Sequence, residues 1–276
     1  EDAKILSDVN GDIEFKNVSF SYPQSDVKIL DNISFSINKG ENVALVGSSG
    51  VGKTTISNLI PRFYEVSNGA ILIDNTDIRD IQQKSLRDNI GIVQQEVYLF
   101  SGTVYENIVY GKKDASYEDV EKAAKMAGAY NFIMELSDQF DTYIGERGTK
   151  LSGGQKQLVL FARAIASKSE ILFLDEPASA LDIKNQDRVL SLIANLRSNS
   201  DASIVFTTHQ PNHALAVADR TLILRNDLSY NYGASNEILT EAALSSLYGV
   251  QIKTAEFDVA GEQIPSITQI FSAQVK

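Results

Sequence analysis

The sequence has no cysteine. That absence excludes disulfide frameworks, cysteine–zinc modules and thiol catalysis, and it leaves the cellular compartment open. No run approaches the roughly 18 consecutive apolar residues of a membrane-crossing helix. Positive charge is also in deficit: 25 Lys and Arg against 36 Asp and Glu give a net charge of −11. A general nucleic-acid-binding surface is not expected from that balance. Internal repeats and low-complexity tracts are missing too. No secretory signal is expected, and the start at Glu1 rather than Met leads us to expect an excised or processed domain.

What is there describes an ordinary globular protein, with 43% hydrophobic, 8% aromatic and 22% charged residues in 276. The length suits one large domain or two small ones. Asp12–Phe20 partly alternates, as an antiparallel strand with one wet face would, and Ile29–Ile37 predicts another strand. Asn42–Val46 is short and almost wholly apolar, the pattern of a buried parallel strand. A helix is expected from about Gly52 to Leu59, stopped by Pro61, then short strands at Ala70–Ile73 and Ile90–Val93. Ser116 and Asp119 form a capping box for a helix through Ala127, and another helix follows Gly154 through Ala166. The α/β rhythm then returns: strand Ile171–Leu174, helix Asp182–Leu196, strand Ser203–Thr207, helix Pro211–Ala218, strand Arg220–Leu224. Such alternation predicts a parallel sheet flanked by helices, with the helical middle inserted into it. Ala234–Tyr248 suggests one or two short helices, and beyond Gly249 the pattern fades.

Three stretches carry chemistry. Gly47-Ser48-Ser49-Gly50-Val51-Gly52-Lys53-Thr54-Thr55 fits the phosphate loop G-x-x-x-x-G-K-[ST]. Its glycines let backbone N–H groups wrap an anion, and the helix start behind it adds about half a positive charge. Lys53 can reach β- and γ-phosphates, and Thr54 can offer its hydroxyl to Mg²⁺. The plain alternative is a glycine-rich strand-to-helix turn. The second stretch, Ile171 to Pro177, ends an apolar strand in Asp175 and Glu176. Ligands of open α/β sheets sit at strand carboxyl ends. Asp175 is placed to hold Mg²⁺ directly or through water, and Glu176 to polarise an attacking water, unless the two merely stop the strand. In the third, Leu151-Ser152-Gly153-Gly154-Gln155, two glycines open a helix and make a second anion site, or Ser152 simply caps that helix. Two such helix starts are surplus for one triphosphate in one subunit, which hints at shared use.

With these residues the chain resembles the nucleotide-binding domain of an ATP-binding cassette (ABC) transporter, over roughly residues 12–250. Walker A is 47–55, the signature is Leu151–Gln155, Walker B is 171–176, and Ser179-Ala180-Leu181-Asp182 resembles the D-loop. The resemblance implies an α/β P-loop NTPase-type core with a mostly parallel sheet, an N-terminal antiparallel β part and an inserted helical subdomain. It implies an ABC ATPase domain over 1–250, with its core at about 1–95 and 168–228 and the helical subdomain at about 96–167. Residues 229–276 are expected to be a C-terminal helical extension and tail. It implies that ATP is held by Gly47, Ser48, Ser49, Gly50, Val51, Gly52, Lys53, Thr54 and Thr55. Tyr22 would stack on adenine. Ser152, Gly153, Gly154, Gln155 and Asp182 would close over the ATP of a second, head-to-tail domain. Mg²⁺ falls to Thr54, Gln95 and Asp175, and catalysis to Glu176, His209 and Gln95. Gln94 competes with Gln95 for the Q-loop role, and the adjacent acid Glu96 favours Gln95. His213 has no motif partner and is expected to be structural.

Two dialects meet in the chain. Gly91–Phe100 and Tyr143–Gly148 are similar to exporter ATPases. Asp175-Glu176-Pro177-Ala178, Thr208-His209-Gln210, Gly233–Thr240 and Leu247–Val250 are similar to ATPase subunits of metal-chelate importers. A fusion joined near residue 157 is the favoured explanation, against a designed sequence or an unusual natural branch. The resemblance implies Mg-dependent ATP hydrolysis that drives a membrane partner from the cytoplasmic side, exporter-type by its docking segments, with no nucleic-acid partner. The competing expectations are an uncoupled, weakly active chimera and a non-transport ABC ATPase.

Overall fold

A computed structural model describes residues 3–6, 8–95, 98–179, 181–199, 201–271 and 273. The chain begins with β1 (Ile13–Ser21), β2 (Lys28–Ile37) and β3 (Asn42–Val46), then α1 (Lys53–Leu59), β4 (Asn68–Ile73) and β5 (Thr76–Asp77). Next come α2 (Gln83–Asp88), β6 (Ile90–Val93), α3 (Val104–Val109), α4 (Tyr117–Met126), α5 (Tyr130–Met134) and α6 (Gly153–Ala166). These lead to β7 (Ile171–Leu174), α7 (Ile183–Asn199), β8 (Ser203–Thr208), α8 (Pro211–Val217) and β9 (Arg220–Leu224). The last elements are β10 (Tyr230–Ala234), α9 (Ser235–Ile238), α10 (Glu241–Tyr248), β11 (Gln251–Val259) and β12 (Glu262–Ile270).

The central sheet has six strands in the order β10-β9-β3-β8-β7-β6. All neighbours in it are parallel except β10, which runs antiparallel along the edge. A second, antiparallel sheet has the order β2-β1-β4-β5. Successive strand residues point to opposite faces, so the wholly buried β3 serves two cores. Val43 and Leu45 join Phe15, Ile71 and Phe173 beneath the antiparallel sheet. Ala44 and Val46 join Leu174, Phe206 and the helical layer on the other face. This is why β7, and β3 after Asn42, read as unbroken apolar runs.

β1 alternates only in part because its register with β2 shifts between Phe15 and Val18, where Asn17 adopts φ 49°. The helical insertion is capped as its sequence dictates. Ser116 and Asp119 bond reciprocally at the start of α4, and Thr103 and Glu106 do the same for α3. Arg163 in α6 ties the insertion together, donating to Asn107 O at 2.8 Å and Asn107 Oδ1 at 2.7 Å.

The C-terminal part corrects the expectation of a helical extension. Among the described residues the α-helices there are α9 and α10; β10 extends the central sheet, and β11 and β12 pair as a separate antiparallel hairpin. Its two-residue turn, Ala260-Gly261, has positive φ at both positions, 56° and 89°. That is the geometry of a type I′ turn, normally signalled by Asn-Gly or Asp-Gly, and alanine hides the signal.

Candidate nucleotide site

The turn from β3 into α1 is shaped by glycine at two points. Gly52 takes φ 105°, and a Cβ on Gly47 would lie 2.7 Å from the Leu224 carbonyl oxygen on β9. The turn delivers Lys53 as the first residue of α1, 6% exposed. Its ammonium donates to the carbonyl oxygens of Gly47 at 2.8 Å and Ser48 at 2.9 Å, and lies 4.0 Å from Glu176 Oε1. Burial lowers the Lys53 pKa, and the Glu176 and Asp175 carboxylates partly oppose that shift.

Strand β7 ends at Leu174, and the two acids emerge at its carboxyl end. The Asp175 N–H donates to Val93 O at 2.8 Å, continuing the β6–β7 pairing. Thr54 Oγ1 donates to Asp175 Oδ2 at 3.3 Å. Glu176 adopts φ 45°, the left-handed region. Its Oε2 accepts from Gln95 Nε2 at 3.2 Å and lies 3.4 Å from His209 Nδ1. His209 follows β8 and its side chain is 47% exposed.

Lys53, Thr54, Gln95, Glu176 and His209 share one cleft of about 400 Å³, which Tyr22, Ile29, Ser49, Gly50, Gly52 and Thr55 also line. Tyr22 shares a hydrogen bond with Thr55 Oγ1 at 2.9 Å, and its ring meets Phe20 and Tyr64 edge-on. Gln94 lines an adjoining pocket with Asp175 and stays out of the main cleft. Ser48 contributes its carbonyl, and Val51 is buried under the loop.

The structure does not bring every expected residue there. Ser152, Gly154 and Gln155 line a different cleft of about 820 Å³, with α4, α5 and α7. Ser152 caps α6: its Oγ accepts from the Gln155 N–H at 3.3 Å, and Gln155 Oε1 accepts from the Ser152 N–H at 2.9 Å. Gly153 opens the same helix. Asp182 lies ahead of α7 and accepts from the Asn185 N–H at 2.9 Å and Asn185 Nδ2 at 2.8 Å. These bonds, the backbone one foremost, lower its pKa. His213 is buried in α8, its Nδ1 3.5 Å from Thr208 Oγ1, and burial lowers its pKa. Ala180 of the D-loop stretch, and Glu96 and Val97 beside Gln95, lie outside the described residues.

One residue of the site escaped the sequence. Thr207 Oγ1 accepts from the Glu176 N–H and donates to Asp175 Oδ1. The signal was a threonine near the carboxyl end of the wholly buried strand β8, beside β7.

A phosphate loop packed against an acidic strand end, at the carboxyl edge of a parallel sheet, defines a P-loop nucleoside-triphosphatase fold. The family model described as ABC transporter matches residues 30–179. The chain therefore belongs to the ABC transporter family, as one of its ATP-binding ATPase domains. It is 41% identical over 244 residues to "Putative multidrug export ATP-binding/permease protein YgaD" of Bacillus subtilis (strain 168), covering 88% of this chain and 42% of that protein. It is 43% identical over 242 residues to "Putative multidrug export ATP-binding/permease protein SAV1866" of Staphylococcus aureus (strain Mu50 / ATCC 700699), covering 87% and 41%. The structure of a bacterial Atm1-family ABC exporter with ATP bound superposes with a TM-score of 0.80 at 38% identity, covering 90% of this chain and 42% of that one. The chain thus spans less than half the length of these relatives.

Aligned spans of 242 and 244 residues in a chain of 276 must cross residue 157, so export proteins match both segments that the motifs divide. Nor does the fold mark a seam. Helix α6 runs unbroken from Gly153 to Ala166, and Gln157 Nε2 donates to Pro177 O at 3.2 Å, joining the two dialects. Among the described residues the buried side-chain atoms without a hydrogen-bond partner are Asn42 Oδ1 and Arg220 Nε, both distant in sequence from residue 157.

Proposed function

We propose that the 400 Å³ cleft binds ATP with Mg²⁺ and hydrolyses its γ-phosphate, and that this turnover drives a transmembrane partner of the exporter type. The observation that carries the reading is convergence. Four separate segments deliver Lys53 and Thr54, Gln95, Glu176, and His209 to one cleft, and Asp175 lies in the adjoining pocket, tied to the cleft by its hydrogen bond from Thr54. Gly47 to Thr55 wrap the phosphates, Lys53 turns from the loop carbonyls toward the β- and γ-oxygens, and Tyr22 receives the adenine ring. The Thr54 hydroxyl, the Asp175 carboxylate and the Gln95 amide form a hard-oxygen donor set of the kind Mg²⁺ takes alongside substrate phosphates. Mg²⁺, when bound, neutralises charge on the β- and γ-phosphates. Glu176 accepts a proton from a water whose oxygen attacks the γ-phosphorus, the bond to the bridging oxygen breaks, and ADP leaves. His209, with its Nδ1 3.4 Å from Glu176 Oε2, would face the γ-phosphate.

The separate placement of Ser152, Gly153, Gly154 and Gln155 supports a shared site. In it, two copies close head to tail, and this surface with Asp182 completes the nucleotide cleft of the partner. Exposed Tyr98, Tyr110 and Tyr143 on the helical insertion, near the exporter-like segments, support docking of a membrane domain at the cytoplasmic face. Steady-state phosphate release with Mg·ATP, against the same reaction in chelator, tests the reading. Release that depends on the metal is expected; no release from a folded, ATP-binding chain would overturn the hydrolytic assignment.

A further inference from the structure

The loop that carries His209 is gripped by parts of the chain outside the nucleotide cleft. Tyr248, the last residue of α10, donates its hydroxyl to the His209 carbonyl oxygen at 2.9 Å. Burial pushes the Tyr248 pKa up to about 12, so the hydroxyl keeps its proton and stays a donor. Three residues beyond His209, Asn212 pairs both ways with the backbone of β12. Its Nδ2 donates to Ile267 O at 2.8 Å, and the Ile267 N–H donates to its Oδ1 at 2.7 Å.

The hairpin is itself fixed on α10. The Ile252 N–H donates to Ser245 Oγ at 2.9 Å, the Thr254 N–H donates to Glu241 Oε1 at 2.8 Å, and Lys253 Nζ pairs with Glu241 Oε2 at 2.8 Å. Ile252 and Ile267 are buried in the same core cluster as Leu244 of α10 and Ala214 of α8. Helices α8 and α10 and the hairpin therefore make one packed block, which holds the loop at positions 209 and 212.

Among the described residues the imidazole has no such support of its own. It is half exposed, and its approach to Glu176 is a single 3.4 Å contact. Its direction is set by its backbone, and a displacement of about 1 Å is enough to spoil a reacting geometry. We propose that Tyr248 and Asn212 are positioning residues for His209, through which the C-terminal block sets the rate of ATP turnover without touching nucleotide. The inference rests on the reading of His209 as a γ-phosphate-facing residue.

The test uses the full chain with Tyr248→Phe, Asn212→Ala and His209→Ala. Kinetics are paired with proton NMR of the two histidine rings, the Cε1–H signals being assigned by loss of one in His209→Ala. Tyr248→Phe and Asn212→Ala are each expected to lower kcat about 2–12-fold, the rate equivalent of one hydrogen bond. KM for ATP should stay within about twofold, since the substrate contacts are intact. The His209 signal should shift or broaden in both variants. An unchanged kcat, or a lowered kcat with an unmoved His209 signal, overturns the proposal. Should Tyr248→Phe lose its cooperative melting transition, Asn212→Ala decides by the same two readouts. Wild-type turnover in His209→Ala would instead sink the reading of His209, and this inference with it.

Discussion

Thr207 Oγ1 donates to Asp175 Oδ1 at 2.6 Å and accepts the Glu176 N–H at 2.7 Å. One hydroxyl on β8 thus fixes both acids that follow β7. The register of the sheet brings it there: Leu174 pairs with Phe206, so the next residue of each strand stands side by side.

Thr207→Val keeps the shape and removes the hydroxyl. The Glu176 N–H loses its acceptor and Asp175 a donor, a loss of about 1–3 kcal/mol for an unsatisfied buried group. Denaturant unfolding should show the lowered stability, phosphate release should slow, and Thr207→Ser should restore both. A valine variant as stable and as active as the parent removes Thr207 from the site.

Lys53→Ala should weaken ATP binding about 10–100-fold, the worth of a hydrogen bond to a charged group. Titration calorimetry reads this directly. The alanine also frees the Gly47 and Ser48 carbonyls, so the loop itself loosens. An unchanged dissociation constant would mean that the loop does not hold phosphate.

Glu176→Gln retains the size of the side chain and loses the proton acceptor. Turnover should drop about 10²–10⁴-fold, as for loss of a general base, with ATP binding intact. Uncleaved ATP should then hold two copies together. Light scattering is expected to show a monomer in ADP and a dimer in Mg·ATP. Wild-type hydrolysis would exclude Glu176 as the base; an inactive variant that stays monomeric at high protein and ATP would discard the shared site.

Hydrogen bonds from Lys168 and Ser116 lower the Asp119 pKa from 3.8 to about 2. A carboxylate depressed in the folded state adds stability above its unfolded pKa and loses it as pH falls through the folded value. Asp119→Asn should therefore melt below the wild type near neutral pH, and the gap should narrow between about pH 4 and pH 2. Melting curves at successive pH values measure it; a gap constant with pH would show that the Lys168 pairing is not what matters.

Sequence and structure agree most closely where burial leaves no choice. The strands β6 and β7 fall at the bounds expected for them, because a strand covered on both faces must be apolar throughout. Capping box Ser116–Asp119 was legible because its chemistry is local. Thr207 was not, since its role depends on which strand lies beside β7, a matter of topology. The hairpin 251–270 was illegible for another reason. Of its residues only Ile252 and Ile267 are buried, so no alternation marks a core face. The signature stretch could be recognised from its glycines, but its separation from the phosphate loop is a property of the folded chain alone.

Glu176 holds φ 45°, a conformation that a residue with a side chain adopts at a cost of about 1–2 kcal/mol. Glycine would relax that turn, and the chain would melt later with no carboxylate left to act. A library sieved for heat resistance alone would thus enrich silent proteins at this position, improving as solids while failing as engines. Any search for a sturdier form of this domain has to score spent nucleotide in the same round.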